Sequence, residues 1–211
     1  MRPFTFVFDD PRWVPKVLVG GVFVLCSFFL IGSFFLLGYF ARLVRNVLAG
    51  VERPLPEWDD LGEYFSEGVL LFGVVLLYVL PIIVLVLIMF VPAAIMSSVD
   101  HDAARDVGSG IFSCVGCLIA PIALAIWLFL PAALLMTITT RRFGAAFEFR
   151  ELWAFIKANI GNYLLAIVVT IVARFIGQAG VILLCVGVLF TEFWALCASG
   201  YAFAQVYKQR K

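Results

Sequence analysis

Charge is what this chain has least of. Only 14% of its 211 residues are Asp, Glu, Lys or Arg, whereas 64% are hydrophobic. Soluble domains carry roughly 25% charged and about 45–50% apolar residues. A water-soluble fold needs polar groups to cover its surface, so the composition excludes one. Neither sign of charge is in excess: 15 basic residues stand against 14 acidic ones. Nothing here argues for a nucleic-acid partner. Histidine is nearly absent. The single His101 lies between Asp100 and Asp102, and one imidazole on a loop lacks the spacing of a dedicated metal site. Five cysteines, an odd number set mostly in apolar runs, make no disulfide framework. No phosphate-binding glycine loop, nucleophile elbow or HExxH pattern occurs. The sequence therefore offers no catalytic residue, no metal ligand set and no cofactor.

What is present is lipid-compatible length. Several apolar runs exceed the ~18 residues that mark a membrane span. Runs such as Val69 to Phe90 are apolar on every face, which rules out the alternating pattern of a membrane β-barrel. The expected fold is an all-α polytopic bundle of about five apolar segments, with short amphipathic helices at the interface, forming one membrane domain over residues 1–211. Asp9 and Asp10 interrupt the basic lead, and no small-x-small site follows cleanly, so the N-terminus is read as retained rather than as a cleaved signal.

Basic residues set the expected orientation. Arg12 and Lys16 precede the first apolar segment, Val17 to Phe40, and Arg42 and Arg45 follow it. The positive-inside tendency places both ends in the cytoplasm. A helical hairpin turning near Gly32-Ser33 satisfies that, each arm being too short to cross fully; a single tilted span is the alternative. The second segment runs from about Val69 to Met96, with Pro81 as an expected kink. Asp100, Asp102 and Asp106 mark Ser97 to Gly110 as an outer loop. Ile111 to Ile138 returns through Pro121 and Pro131. Arg141, Arg142, Arg150 and Lys157 mark a second cytoplasmic loop, holding an interfacial helix with Leu152, Trp153, Ile156 and Ile160 on its apolar side. Ile160 to Ile176 goes out, Val181 to Phe203 comes back, and Lys208, Arg210 and Lys211 hold the C-terminus inside. Asp60-Leu61-x-x-Tyr64-Phe65 echoes Glu151-Leu152-x-x-Phe155-Ile156, a weak repeat relating residues 17–97 to 108–176, with a final span at 181–203. The whole places the chain in the cell (inner) membrane, with the C-terminus and the stretches 41–60 and 141–158 cytoplasmic.

One polar stretch is specific. Arg42, Arg45 and Asn46 share a helical face ending at Gly50, a normal helix stop. Pro54 and Pro56 enforce an extended turn. Glu57, Trp58, Asp59 and Asp60 follow, with Asp60 and Glu63 spaced as a capping box. The acidic run, extended by Glu67, is a candidate docking site for a cation or a partner. The plainer reading is a helix cap plus a tryptophan anchored among headgroups. The arginine face suits either those carboxylates or anionic lipid.

At Gly38-Tyr39, Arg42, Arg45-Asn46, Gly50 and the run from Arg53 to Asp60, the chain resembles a prokaryotic membrane family catalogued as domain of unknown function 4013. Asp10-Pro11-x-Trp13, Gly20-Gly21 and the ending Tyr201 to Tyr207 fit it too. Such members often break the first apolar segment with a proline; here Leu30-Ile31-Gly32-Ser33 stands instead. The resemblance implies a bacterial or archaeal membrane protein and brings no activity.

Three further groups stand out. Glu192 lies in the last apolar segment, where an ionised carboxylate costs about 2.5–3.5 kcal/mol or more. It is a candidate proton- or cation-handling group, or a protonated acid bonded between helices, with Arg174 too near its helix end to be the partner. Cys114 and Cys117 have dithiol spacing, but core cysteine is the plainer reading. Ala195, Ala198, Ser199, Gly200 and Ala202 let helices approach closely. The expectation is a non-enzymatic scaffold, accessory subunit or lipid-organising element. Its partners are membrane lipids and a protein partner or second copy. A translocator using Glu192 is the alternative, and a thiol oxidoreductase a distant third.

Overall fold

The computed structural model describes residues 3–97, 102–180 and 187–209, except the side chains at 90, 93–97, 102–116, 118 and 179. Among the described residues there is no strand. The α-helices are α1 (Trp13–Cys26), α2 (Ile31–Ala49), α3 (Leu61–Ser97), α4 (Asp102–Thr140), α5 (Phe149–Ala158), α6 (Ile160–Ala179) and α7 (Gly187–Lys208). Five stretches are long and apolar enough to cross a membrane: Ile31–Ala49, Leu61–Met89, Ile119–Thr140, Ile160–Gln178 and Gly187–Lys208. The fold is the expected all-α membrane bundle.

Two compact units form, Met1–Gly73 with Ala132–Lys211, and Val74–Pro131. The second unit comprises the later part of α3 and the earlier part of α4. Among its described side chains Leu76, Leu80, Ile83, Leu87 and Leu124 are exposed, as suits hydrocarbon contact, while Val74 and Tyr78 are buried. α3 runs unbroken through Pro81 and Pro92, and α4 through Pro121 and Pro131. Residues 102–110, expected in a loop, instead form the first turns of α4; their helical backbone continues the apolar segment that follows. Asp100 and His101 lie outside the described residues.

In the first unit the first apolar segment is a hairpin. α1 ends at Cys26, a 3-10 turn covers Ser27–Phe29, and Leu30 at φ 64° reverses the chain into α2. The turn comes before Gly32-Ser33, not at it. Gly32 sits against the backbone of Phe23 and Cys26, where a Cβ would collide; glycine closes the arms rather than bending the chain. Leu30 takes a backbone conformation that costs an L-residue of order 1–2 kcal/mol. The tip is bare: Phe28 is 91% and Phe29 78% exposed.

Both arms lean on α7. The Phe193 ring covers Gly20 and the Phe190 ring covers Gly21, while Gly200 abuts Phe40 and Leu43. In lipid, helix association rests on such close packing rather than on the hydrophobic effect. α6 and α7 pack as neighbours through buried Ala173, Ala195 and Ala198. Ser199, Gly200 and Ala202 are buried as well, so the small residues lie where close packing was expected. α7 begins among the described residues at Gly187; 181–186 lie outside them. On α5, Leu152, Phe155 and Ile156 are buried, whereas Trp153 is exposed, as is Ile160 at the start of α6. Trp153 instead faces Lys157, whose ammonium lies 5.0 Å from its ring centre.

Candidate functional site

The charged motif folds into a strap between two helix ends. α2 stops at Gly50 in the left-handed conformation, φ 74°, which only glycine adopts without strain. α3 starts at Leu61, with Asp60 Oδ1 accepting from the Glu63 N–H at 3.0 Å. Between them Pro54, Leu55 and Pro56 are buried. Extended backbone of this kind leaves its carbonyls without a ladder, and buried carbonyls need donors.

Four consecutive carbonyls are each satisfied by a side chain. Asn46 Nδ2 donates to Pro54 O at 3.0 Å, and Lys16 Nζ to Leu55 O at 2.9 Å. Tyr39 Oη donates to Pro56 O at 3.0 Å, and Tyr64 Oη to Glu57 O. Trp58 Nε1 then donates to the Lys16 carbonyl at 3.0 Å. Its indole stacks on Tyr39 at 4.3 Å and on Phe23 at 4.8 Å, and packs on Phe193 at 5.9 Å between ring centres. Trp58 is thus a half-buried plug between α1, α2 and α7.

Ion pairs surround the strap. Lys16 Nζ lies 2.5 Å from Asp10 and 2.8 Å from Glu57, and Arg12 lies 2.7 Å from Glu57. Lys16 and Asp10 are 4% and 5% exposed, so this pair is buried. Burial pushes the Asp10 carboxyl up, but the Lys16 hydrogen bond, the Arg12 N–H and the two cations outweigh it and hold it below the usual carboxylate value. Arg42 pairs with Glu63 at 2.5 Å, and Arg45 meets both Glu67 oxygens at 2.6 and 2.5 Å. The expected capping box is therefore half made. Glu63 does not reach back to the cap because Arg42 holds its carboxylate. Leu61 and Phe65 are exposed, while Tyr64 between them is buried. The surface helix expected before the second segment is the first two turns of α3 itself.

Of the motif residues, Arg42, Arg45, Asn46, Glu57, Trp58, Asp60 and Glu63 are brought together. Arg53 and Asp59 make no hydrogen bond or ion pair with the described residues. Asp10 and Tyr39 stood out in the sequence only through the family resemblance, Lys16 read as an ordinary flank, and the hydroxyls of Tyr39 and Tyr64 gave no signal in an aromatic-rich chain.

Glu192 is paired, contrary to expectation, with Arg174 at 2.8 Å. It lies in the described part of α7, within the span-length stretch Gly187–Lys208 and opposite the later part of α6, close enough for the long arginine to reach. Cys117 is an exposed free thiol on α4, and the Cys114 side chain lies outside the described residues. Among the described residues no three His, Cys, Asp or Glu gather to hold a metal.

A profile of the family described as Protein of unknown function (DUF4013) matches residues 21–186. The chain belongs to this family. Comparison with curated proteins and with solved structures finds no match. The DUF4013 match takes in Tyr39, Asn46, the strap and Tyr64; Asp10, Lys16 and Phe193 lie outside it. With its five span-length helices, this DUF4013 chain is a multi-pass membrane protein.

Proposed function

We propose that the protein is a non-enzymatic element of the cell membrane, a scaffold or accessory subunit working by contact with lipid and with a protein partner or second copy. The observation that supports this reading is the saturation of the charged motif. Apart from Arg53 and Asp59, its carboxylates, guanidiniums and carbonyls are engaged with one another, leaving few groups for chemistry on a substrate. Large apolar side chains are left open as well, Phe28, Phe29, Leu87 and Leu124 among them.

The hairpin supports a re-entrant arrangement. Lys16 to Leu30 rises about 21 Å and Leu30 to Arg42 about 18 Å, short of the ~30 Å hydrocarbon core. With the charged ends of both arms at the cytoplasmic interface, the bare Phe28–Phe29 tip lies within hydrocarbon. The translocator alternative loses weight because the Glu192 carboxylate is already engaged by Arg174 at 2.8 Å.

Mass spectrometry of protein extracted with its native lipid annulus tests the reading. A stoichiometric companion chain or a defined oligomer, lost when Phe28 and Phe29 are both replaced by Ser, is the expected result. A monomer carrying only bulk lipid overturns it. Proton flux in reconstituted vesicles that Glu192→Gln abolishes would restore the translocator.

A further inference from the structure

We propose that the cavity beneath the strap binds the phosphoethanolamine headgroup of a membrane lipid. The cavity encloses about 310 Å³ and is lined by Arg12, Lys16, Arg42, Asn46, Arg53 and Asp59, among others. That is the lower end of the ~300–1,000 Å³ range of small-molecule sites.

The charges lining it are mostly neutralised already. The Lys16 ammonium meets Asp10, Glu57 and Leu55 O, which occupy its three protons. Arg12 holds Glu57, Arg42 holds Glu63, and the Asn46 amide holds Pro54 O. Two groups remain without a partner, and they have opposite sign: the Arg53 guanidinium and the Asp59 carboxylate, both on the exposed side of the strap. A neutral ligand with one anionic and one cationic end complements them.

Phosphate is the anionic end that this site favours. A guanidinium meets two phosphate oxygens at once, and Arg12 and Arg42 present further N–H groups from the same wall. Asp59 calls for a cation that donates hydrogen bonds, which a primary ammonium does and a quaternary ammonium does not. A purely anionic headgroup would leave Asp59 opposed to like charge. The cavity also lies at the right depth. Its walls are the N-terminal end of α1 and the C-terminal end of α2, where apolar helix gives way to charge, the level of headgroups in a bilayer.

The proposal rests on the reading that the protein works at its lipid-facing surfaces, and it can fail alone. The test is native mass spectrometry of the full chain from nanodiscs of equal phosphatidylethanolamine, phosphatidylglycerol and phosphatidylcholine. Wild type is expected to retain phosphatidylethanolamine about tenfold over either competitor. Arg53→Gln should abolish retention, and Asp59→Asn should erase the preference over phosphatidylglycerol. Thermal midpoints should stay unchanged, because neither side chain holds the fold together. Excess free phosphoethanolamine that displaces the lipid identifies the soluble compound as an equal occupant; failure to displace it identifies the lipid. Retention indifferent to both substitutions, equal retention of phosphatidylglycerol by wild type, or no retained lipid overturns the site. If the companion chain or oligomer persists in that case, only the headgroup assignment falls.

Discussion

Lys16 shows how much one residue does that its neighbours in sequence conceal. In the sequence it is a basic residue before an apolar run, the commonest place for a lysine in a membrane protein. In the fold it is buried, pairs with Asp10 and caps Leu55 O. Removing one partner of a buried pair strands the other, which costs about 3–5 kcal/mol. Lys16→Ala should therefore lower the thermal midpoint in detergent far more than Arg12→Ala, whose side chain is 71% exposed. Equal losses from the two would show that Lys16 is not buried as described. The Asp10 carboxyl gives the pair a pH signature. Its folded value is depressed below that of the unfolded chain, so the unfolded chain takes up the proton first as pH falls. Its contribution is complete above the unfolded value and disappears as pH drops through the lower, folded one. The difference in midpoint between wild type and Asp10→Asn should be constant from pH 7 to about 5 and shrink below that. A difference already shrinking at pH 6 would contradict a depressed carboxyl.

At the scale of elements, the strap was legible in outline and not in wiring. Gly50 as a stop, the extended Pro54–Pro56 turn and the Asp60 cap all follow from backbone rules that act within a few residues, and all are found. The partners of the four carbonyls come from α1, α2 and α3, and no local rule reports which hydroxyl or amide will arrive from so far along the chain. The hairpin turn was misplaced for a related reason. Leu30 carries no turn chemistry, and Gly32, which does, is used for packing. A similar close approach joins α2 to α3: a Cβ on Gly38 would meet the Tyr64 backbone, and one on Gly68 the Phe34 backbone. Backbone cannot step aside as a side-chain tip can. Gly68→Ala should force the helices apart at a cost of about 1–3 kcal/mol, weakening the Arg42–Glu63 and Arg45–Glu67 bridges with it. Gly144→Ala and Gly161→Ala, with nothing within 4 Å, serve as controls in the same thermal assay. Three indistinguishable midpoints would deny the close crossing.

For the whole molecule, composition alone identified lipid as the solvent, because no arrangement of so few charges covers a water-facing surface. It did not decide whether the first apolar segment crosses, since a span and a hairpin have the same composition and length. The fold supplies the hairpin, and the bilayer dimensions supply the consequence. Arg12 and Arg53 flank the two arms at the same charged end, joined through Glu57 and the strap, so both should face one compartment. With the native cysteines replaced, Arg12→Cys and Arg53→Cys should react with an impermeant maleimide from the cytoplasmic side only. Phe28→Cys and Phe29→Cys, at the tip, should react from neither side, because a thiol in hydrocarbon stays protonated and unreached by polar reagent. Labelling of the tip from outside would show that the hairpin crosses the full core and emerges, as α2's 19-residue length permits. Labelling of Arg53→Cys from outside would invert the orientation while leaving the hairpin intact. The two results separate the depth of the hairpin from its direction, which the positive-inside tendency and the helix lengths determine independently.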